Sequence, residues 1–118
     1  MQSRDKLDLA VKAVDDKKAH AITALDMRGV SLVADYFVIC HGNSEVQVEA
    51  ISREVKDRAN IAGLDVKRLE GLEEARWVLI DLNDVIVHVF HKDERAYYNL
   101  EKLWGDAQTI ELERIIQA

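Results

Sequence analysis

Few side chains in this sequence stand at spacings that do chemistry. His88 and His91 have the separation of a metal-binding pair. On a strand, however, an odd offset sends the two side chains to opposite faces. No cluster of cysteine or histidine completes a ligand set, so the spacing predicts packed or surface histidines and no metal site. Cys40, the single cysteine, lies at the end of the apolar run Tyr36–Cys40 with no base beside it. Burial there keeps a thiol protonated and unreactive. One cysteine forms no intramolecular disulfide.

The most informative candidate is His41-Gly42-Asn43-Ser44. Nucleotidyl-transferring enzymes hold nucleotide phosphates on a Gly-Ser loop between a strand and a helix. They also need paired carboxylates on the next strand for a divalent metal. The corresponding stretch here, Gly63-Leu64-Asp65-Val66-Lys67, offers one acid and then a lysine. An active transferase is therefore not expected. Gly42 is left to supply a turn and Ser44 a helix cap. Neither common Gly-rich phosphate loop occurs, and no cofactor is expected. Tyr97, Tyr98 and Trp104 have rings for base stacking. The acids Asp93, Glu94 and Glu101 around them repel phosphates, so packing or a protein interface is the better expectation.

The elements that must position these residues can be read in order. Ser3 is placed to cap a first helix, with Leu7, Val11 and Val14 at helical spacing. That helix fades in Asp15-Asp16-Lys17-Lys18. Ala21–Met27 reads as a strand and Ser31–Ala34 as one helical turn. Tyr36–Cys40, apolar on both faces, belongs at the centre of a sheet. Ser44 and Gln47 form a capping box for a helix that buries Val48, Ile51, Val55 and Ala59 and stops at Gly63. Leu64–Leu69 is a short strand, followed by the acidic loop Glu70-Gly71-Leu72-Glu73-Glu74. After the hairpin described next, His91–Asn99 and Leu100–Trp104 read as helices. Thr109–Gln117 reads as a last helix, separable from the core. The order predicts an α+β fold, a mixed sheet of about five strands packed with helices. A βαβ connection through residues 44–63 is right-handed if its strands are parallel. Residues 1–107 form the domain and residues 108–118 a C-terminal tail.

The hairpin dominates the second half. Trp77–Leu82 and Val85–Phe90 flank Asn83-Asp84, a pair suited to a type I′ turn. The two-residue loop fixes the register, so Val78, Ile80, Leu82, Val85, Val87 and Val89 share an aliphatic face that reads as core. The opposite face pairs Asp81 with Ile86, Leu79 with His88 and Trp77 with Phe90. A pure core layer does not need Asp81, and a solvent face does not carry Trp77 and Leu79. Such a face lies under a helix or receives another molecule.

The chain has 118 residues and is one domain. No apolar run is long enough to span a bilayer, no signal peptide is evident, and no membrane partner is expected. With one cysteine, a cytoplasmic protein is expected. The net charge of −6 is unevenly placed. Residues 1–69 balance eleven acids with eleven Lys and Arg, whereas residues 70–118 hold eleven acids and five Lys and Arg. Direct sequence-specific nucleic-acid binding is not expected of such a chain. A basic protein partner suits the acidic half; acidity also favours solubility.

Several blocks together carry a family resemblance. They are Ala34-Asp35-Tyr36-Phe37-Val38-Ile39-Cys40 with Gly42-Asn43-Ser44, then Glu70-Gly71, then Arg76–Asp81, Asp84–Phe90, and Arg95-x-Tyr97-Tyr98-Asn99-Leu100-Glu101-x-Leu103-Trp104-x-Asp106. Across about residues 5–107 the chain closely resembles the ribosomal silencing factor (RsfS, Iojap or YbeB) family. The resemblance implies a nucleotidyltransferase-like fold without the metal-binding carboxylates, and no enzymatic activity. It implies a translation regulator that binds the large ribosomal subunit through protein L-fourteen and blocks subunit joining when nutrients are scarce. It also implies a homodimer in isolation. On this basis the expected partner-contacting residues are Trp77 and Leu79 as apolar anchors and Asp81 as a charged contact, with His88, Tyr98 and Glu70 beside them. The alternatives are an assembly factor or RNA-associated module of the large subunit and, less favoured, a nucleotidyltransferase.

Overall fold

The computed structural model describes residues 2–98, 105 and 107–116. Helix α1 (Ser3–Asp16) is followed by β1 (His20–Asp26), β2 (Tyr36–Gly42), α2 (Glu45–Ile61) and β3 (Arg68–Glu70). Then come the hairpin strands β4 (Trp77–Asp81) and β5 (Val85–His91), α3 (Lys92–Tyr98), β6 (Gln108–Thr109) and α4 (Glu113–Ile116). The strands form one six-stranded mixed sheet in the order β3-β4-β5-β2-β1-β6. Among the described residues β2 and β5 make the one parallel pair, and the other neighbours run antiparallel. The fold is α+β, as expected, with one more strand than expected.

Two apolar clusters lie on the two faces. The larger joins α1, α2 and Ile115 of α4 to Val78, Ile80, Leu82, Val85, Val87 and Val89. These six are the aliphatic face expected of the hairpin, each 0–1% exposed. Burying a Val or Leu side chain in such a layer contributes roughly 1.5–3 kcal/mol. The smaller cluster, on the other face, holds Leu25, Met27, Phe37, Ile39, Ile86 and Phe90, with Trp77 and Leu79 packed at its margin.

Several local expectations need correction. Helix α1 is capped by Gln2, not Ser3, and Asp5 accepts from the Gln2 backbone N–H. Residues 31–34 form no helical turn; the chain reverses just before them, where Val30 and Ser31 both donate to the Met27 carbonyl. The Ser44 hydroxyl accepts from Gln47 N–H as expected, but the Gln47 side chain reaches back to Asn43 N–H, not to Ser44. At the hairpin tip Asn83 alone has a positive φ, +81°, so the turn is not type I′, which requires it at both central residues.

The segment from Gln108 is not separable from the core. Gln108 and Thr109 pair with Asp26 and Leu25 at the edge of β1, and Ile115 is 4% exposed in the main core. The helix expected over Thr109–Gln117 is confined to Glu113–Ile116 because its first residues complete the sheet. The helix expected over Leu100–Trp104 lies outside the described residues.

Candidate docking face

The site is built on β3, β4 and β5, on the face opposite α1 and α2. The hairpin pairs Trp77 with Phe90, Leu79 with His88 and Asp81 with Ile86, in the expected register. Alternation then places all six on one face. The short edge strand β3 extends the rows, setting Glu70 beside Leu79 and Arg68 beside Asp81.

Aromatic packing fixes the centre. The rings of Trp77 and Phe90 stack with centroids 5.0 Å apart. Trp77 Nε1–H donates to His88 Nδ1 at 3.2 Å. The Phe37 ring meets His88 edge-on at 4.9 Å. Because Nδ1 accepts, the proton of the neutral imidazole resides on Nε2. That nitrogen is buried and has no hydrogen-bond partner among the described residues. Burial pushes the His88 pKa down to about 4, so this ring is neutral at physiological pH.

Beside this centre a depression of about 340 Å³ is lined by Glu70, Gly71, Trp77 and Leu79. Three of the six expected contact residues therefore share one concavity, with an apolar floor and a carboxylate at its edge. Gly71 makes the shape possible. Its φ is +85°, and a Cβ there would stand 2.1 Å from the Trp77 carbonyl oxygen. The acidic loop can thus cross directly over the start of β4.

Asp81 departs from its expected role as a presented charge. It is only 6% exposed. One carboxylate oxygen accepts from Asn83 N–H at 2.8 Å, and the other lies 3.3 Å from Arg68 Nε. It holds the hairpin tip and a neighbouring strand together. His88 likewise packs within the face. Tyr98 is the last residue of α3, but its side chain lies outside the described residues. The residues not anticipated here are Arg68 and Phe37. Arg68 and Phe37 come from other strands, so no spacing within the hairpin could reveal them.

Elsewhere, Cys40 is wholly buried and its thiol is pushed up to about 12, which removes nucleophilic character at neutral pH. At the end of β2 a Cβ on Gly42 would meet Val48 N at 2.9 Å, so the glycine admits the close approach of α2. His88 and His91 lie on opposite faces of β5. No group of three or more His, Cys, Asp or Glu that could hold a metal occurs among the described residues. No helix among them is long and apolar enough to cross a membrane.

The family model described as "Ribosomal silencing factor during starvation" matches residues 1–118. A ribosomal silencing factor RsfS from Halalkalibacterium halodurans is 67% identical over 116 residues, covering 98% of this chain and 99% of the relative. One from Bacillus subtilis is 64% identical, covering 96% of each chain. A crystal structure from Bacillus halodurans, 65% identical, superposes with a TM-score of 0.84 over 92% of this chain and 99% of its own.

Proposed function

The chain belongs to the ribosomal silencing factor family, and from that premise we propose that it represses translation by binding the large ribosomal subunit and blocking subunit joining. The contact is to ribosomal protein L-fourteen, and repression operates when nutrients are limiting. The observation that carries the reading is the concavity of Glu70, Gly71, Trp77 and Leu79 on the sheet face away from α1 and α2. An aromatic anchor with an aliphatic neighbour and a charged edge has the composition of a protein-interface hot spot. Glu70, Glu73 and Glu74 around it suit a basic partner. The mechanism is occlusion: the bound protein fills space that the small subunit needs, and no covalent step is involved.

A nucleotidyltransferase-like fold without the metal-binding carboxylates fits the same reading. In the strand–Gly42-Asn43-Ser44–helix loop the glycine serves close packing and the serine a cap.

The test is co-sedimentation with purified large subunits, followed by addition of small subunits. The wild type should bind and prevent joining. Trp77→Ala should weaken binding by more than tenfold, in the range of about 2 kcal/mol for a hot-spot residue, while keeping its circular dichroism. Binding with unimpaired joining would favour the assembly-factor reading. Unchanged affinity of the folded Trp77→Ala protein would move the site to another face.

A further inference from the structure

Helix α3 has seven residues. Isolated helices shorter than about 12–15 residues are marginal in water, so α3 depends on what holds it. Two adjacent side chains tie it in opposite directions. Glu94 Oε1 accepts from Arg76 Nε at 3.2 Å and from Arg76 Nη2 at 2.9 Å. Arg76 directly precedes Trp77, and its carbonyl accepts from His91 N–H. Arg95 reaches the other way, to β1 and β2. Its Nη1 donates to the Ala21 carbonyl at 2.7 Å and to the His20 carbonyl at 3.4 Å, and meets His41 Nδ1 at 3.2 Å. Its Nη2 donates to Thr23 Oγ1 at 3.4 Å.

The carbonyls that receive Arg95 sit at an irregularity of β1. The pairing of β1 with β2 shifts register between His20 and Thr23, and Ala21 lies in the left-handed region at φ +48°. A residue with a Cβ takes up that conformation at a cost that its surroundings must outweigh. A bulge interrupts the ladder, and here the Arg95 guanidinium supplies a donor to two successive carbonyls. Strand pairing places this contact on the sheet, because cross-strand partners share a face. One row runs Trp77–Phe90–His41 and the next Leu79–His88–Ile39–Thr23. Arg95 therefore touches the far members of the two rows that begin with Trp77 and Leu79. Helix α3 packs on β5 and β2 between those ends, as a strap tied by Glu94 beside Trp77 and by Arg95 at β1.

We propose that Arg95 is a positioning residue for large-subunit binding. It makes no contact with the partner; its hold on the β1 bulge fixes the strap, and through Glu94 and Arg76 the strap braces the start of β4 where Trp77 stands. A face already held in its binding geometry has less ordering entropy to lose when the partner arrives. This role rests on the ribosomal reading given above, whereas the hold of Arg95 on α3 is measured without ribosomes.

Hydrogen exchange of the free protein and co-sedimentation with purified large subunits test it together. In Arg95→Ala the amides of α3 should exchange about tenfold faster, while those of α1 and α2 keep their wild-type protection. Its affinity for the large subunit should fall about tenfold with unchanged circular dichroism. Arg95→Lys, which keeps a donor for the Ala21 carbonyl, should recover part of both. Lys92→Ala removes the same charge from the exposed start of the same helix and should bind as the wild type does. An Arg95→Ala protein that binds normally overturns the proposal. So does one that binds weakly with unchanged exchange in α3, which would make Arg95 a direct contact, or an equal loss in Lys92→Ala. Should Arg95→Ala not fold, Arg95→Lys decides by the same two readings: smaller changes of the same sign support the role, and none overturns it. A wild type that does not bind large subunits overturns the ribosomal reading and this role with it, and the exchange arm then reports only whether Arg95 holds the strap.

Discussion

At the scale of single residues, the polar groups on the mixed hairpin face do structural work that their exposure explains. Asp81 satisfies the Asn83 N–H and faces Arg68, both within 3.3 Å. Asp81→Ala removes the acceptor of the Asn83 N–H and leaves the Arg68 guanidinium to Glu70 alone, so it should cost about 0.5–1.5 kcal/mol in urea unfolding. Asp81→Asn, which keeps an acceptor, should cost less. His88 predicts a pH response. The folded chain holds it neutral down to about 4, while the unfolded chain takes up its proton near 6.5. Between those values the unfolded state binds more protons, so stability falls as pH drops from 6.5 towards 4 and is level above 6.5. The full contribution is on the order of 3 kcal/mol. Unfolding of His88→Leu followed across this range should show a shallower acid slope than the wild type. Neither role was legible from the residue alone. Asp81 is identifiable in sequence as an anomaly on an apolar face, but its burial depends on Arg68, thirteen positions earlier on a separate strand.

At the scale of elements, the hairpin was legible because two constraints agree. A two-residue connection allows one register, and a period of two then assigns every side chain to a face. All five pairs from Trp77–Phe90 to Asp81–Ile86 follow that rule. The turn type was not legible, because Asn-Asp admits more than one backbone solution. Strand β6 could not be read either. Two residues carry no periodicity, and they become a strand only because β1 offers them an open edge. The loop after β3 depends on a glycine in the left-handed region whose missing side chain lets the chain touch Trp77. Gly71→Ala introduces both backbone strain and a collision with the Trp77 carbonyl. It should cost more than about 1 kcal/mol and shift tryptophan emission, as the loop lifts from β4. Gly29→Ala is the control. Its φ is also positive, +82°, but nothing lies within 4 Å of an added Cβ, so only the strain component remains.

At the scale of the whole molecule, the sheet divides two tasks. One face, closed by α1, α2 and α4, stabilises the fold; the other holds the smaller cluster and the Trp77 concavity. The terminal segment belongs to the first task. Ile115→Ala should lower stability by about 2–4 kcal/mol, read as a lower urea midpoint, although it lies far from the Trp77 face. Removal of residues 108–118 should destabilise further, since it also strips β6 from β1. The strand order has a consequence for the time course of synthesis. The central strand β2 must wait for β5, which is made only after α2, β3 and β4, and the β1 edge waits for the last eleven residues. Long-range pairings of this kind form late. During synthesis the hairpin face and the β1 edge are therefore incomplete until β5 and β6 have been made and have found β2 and β1.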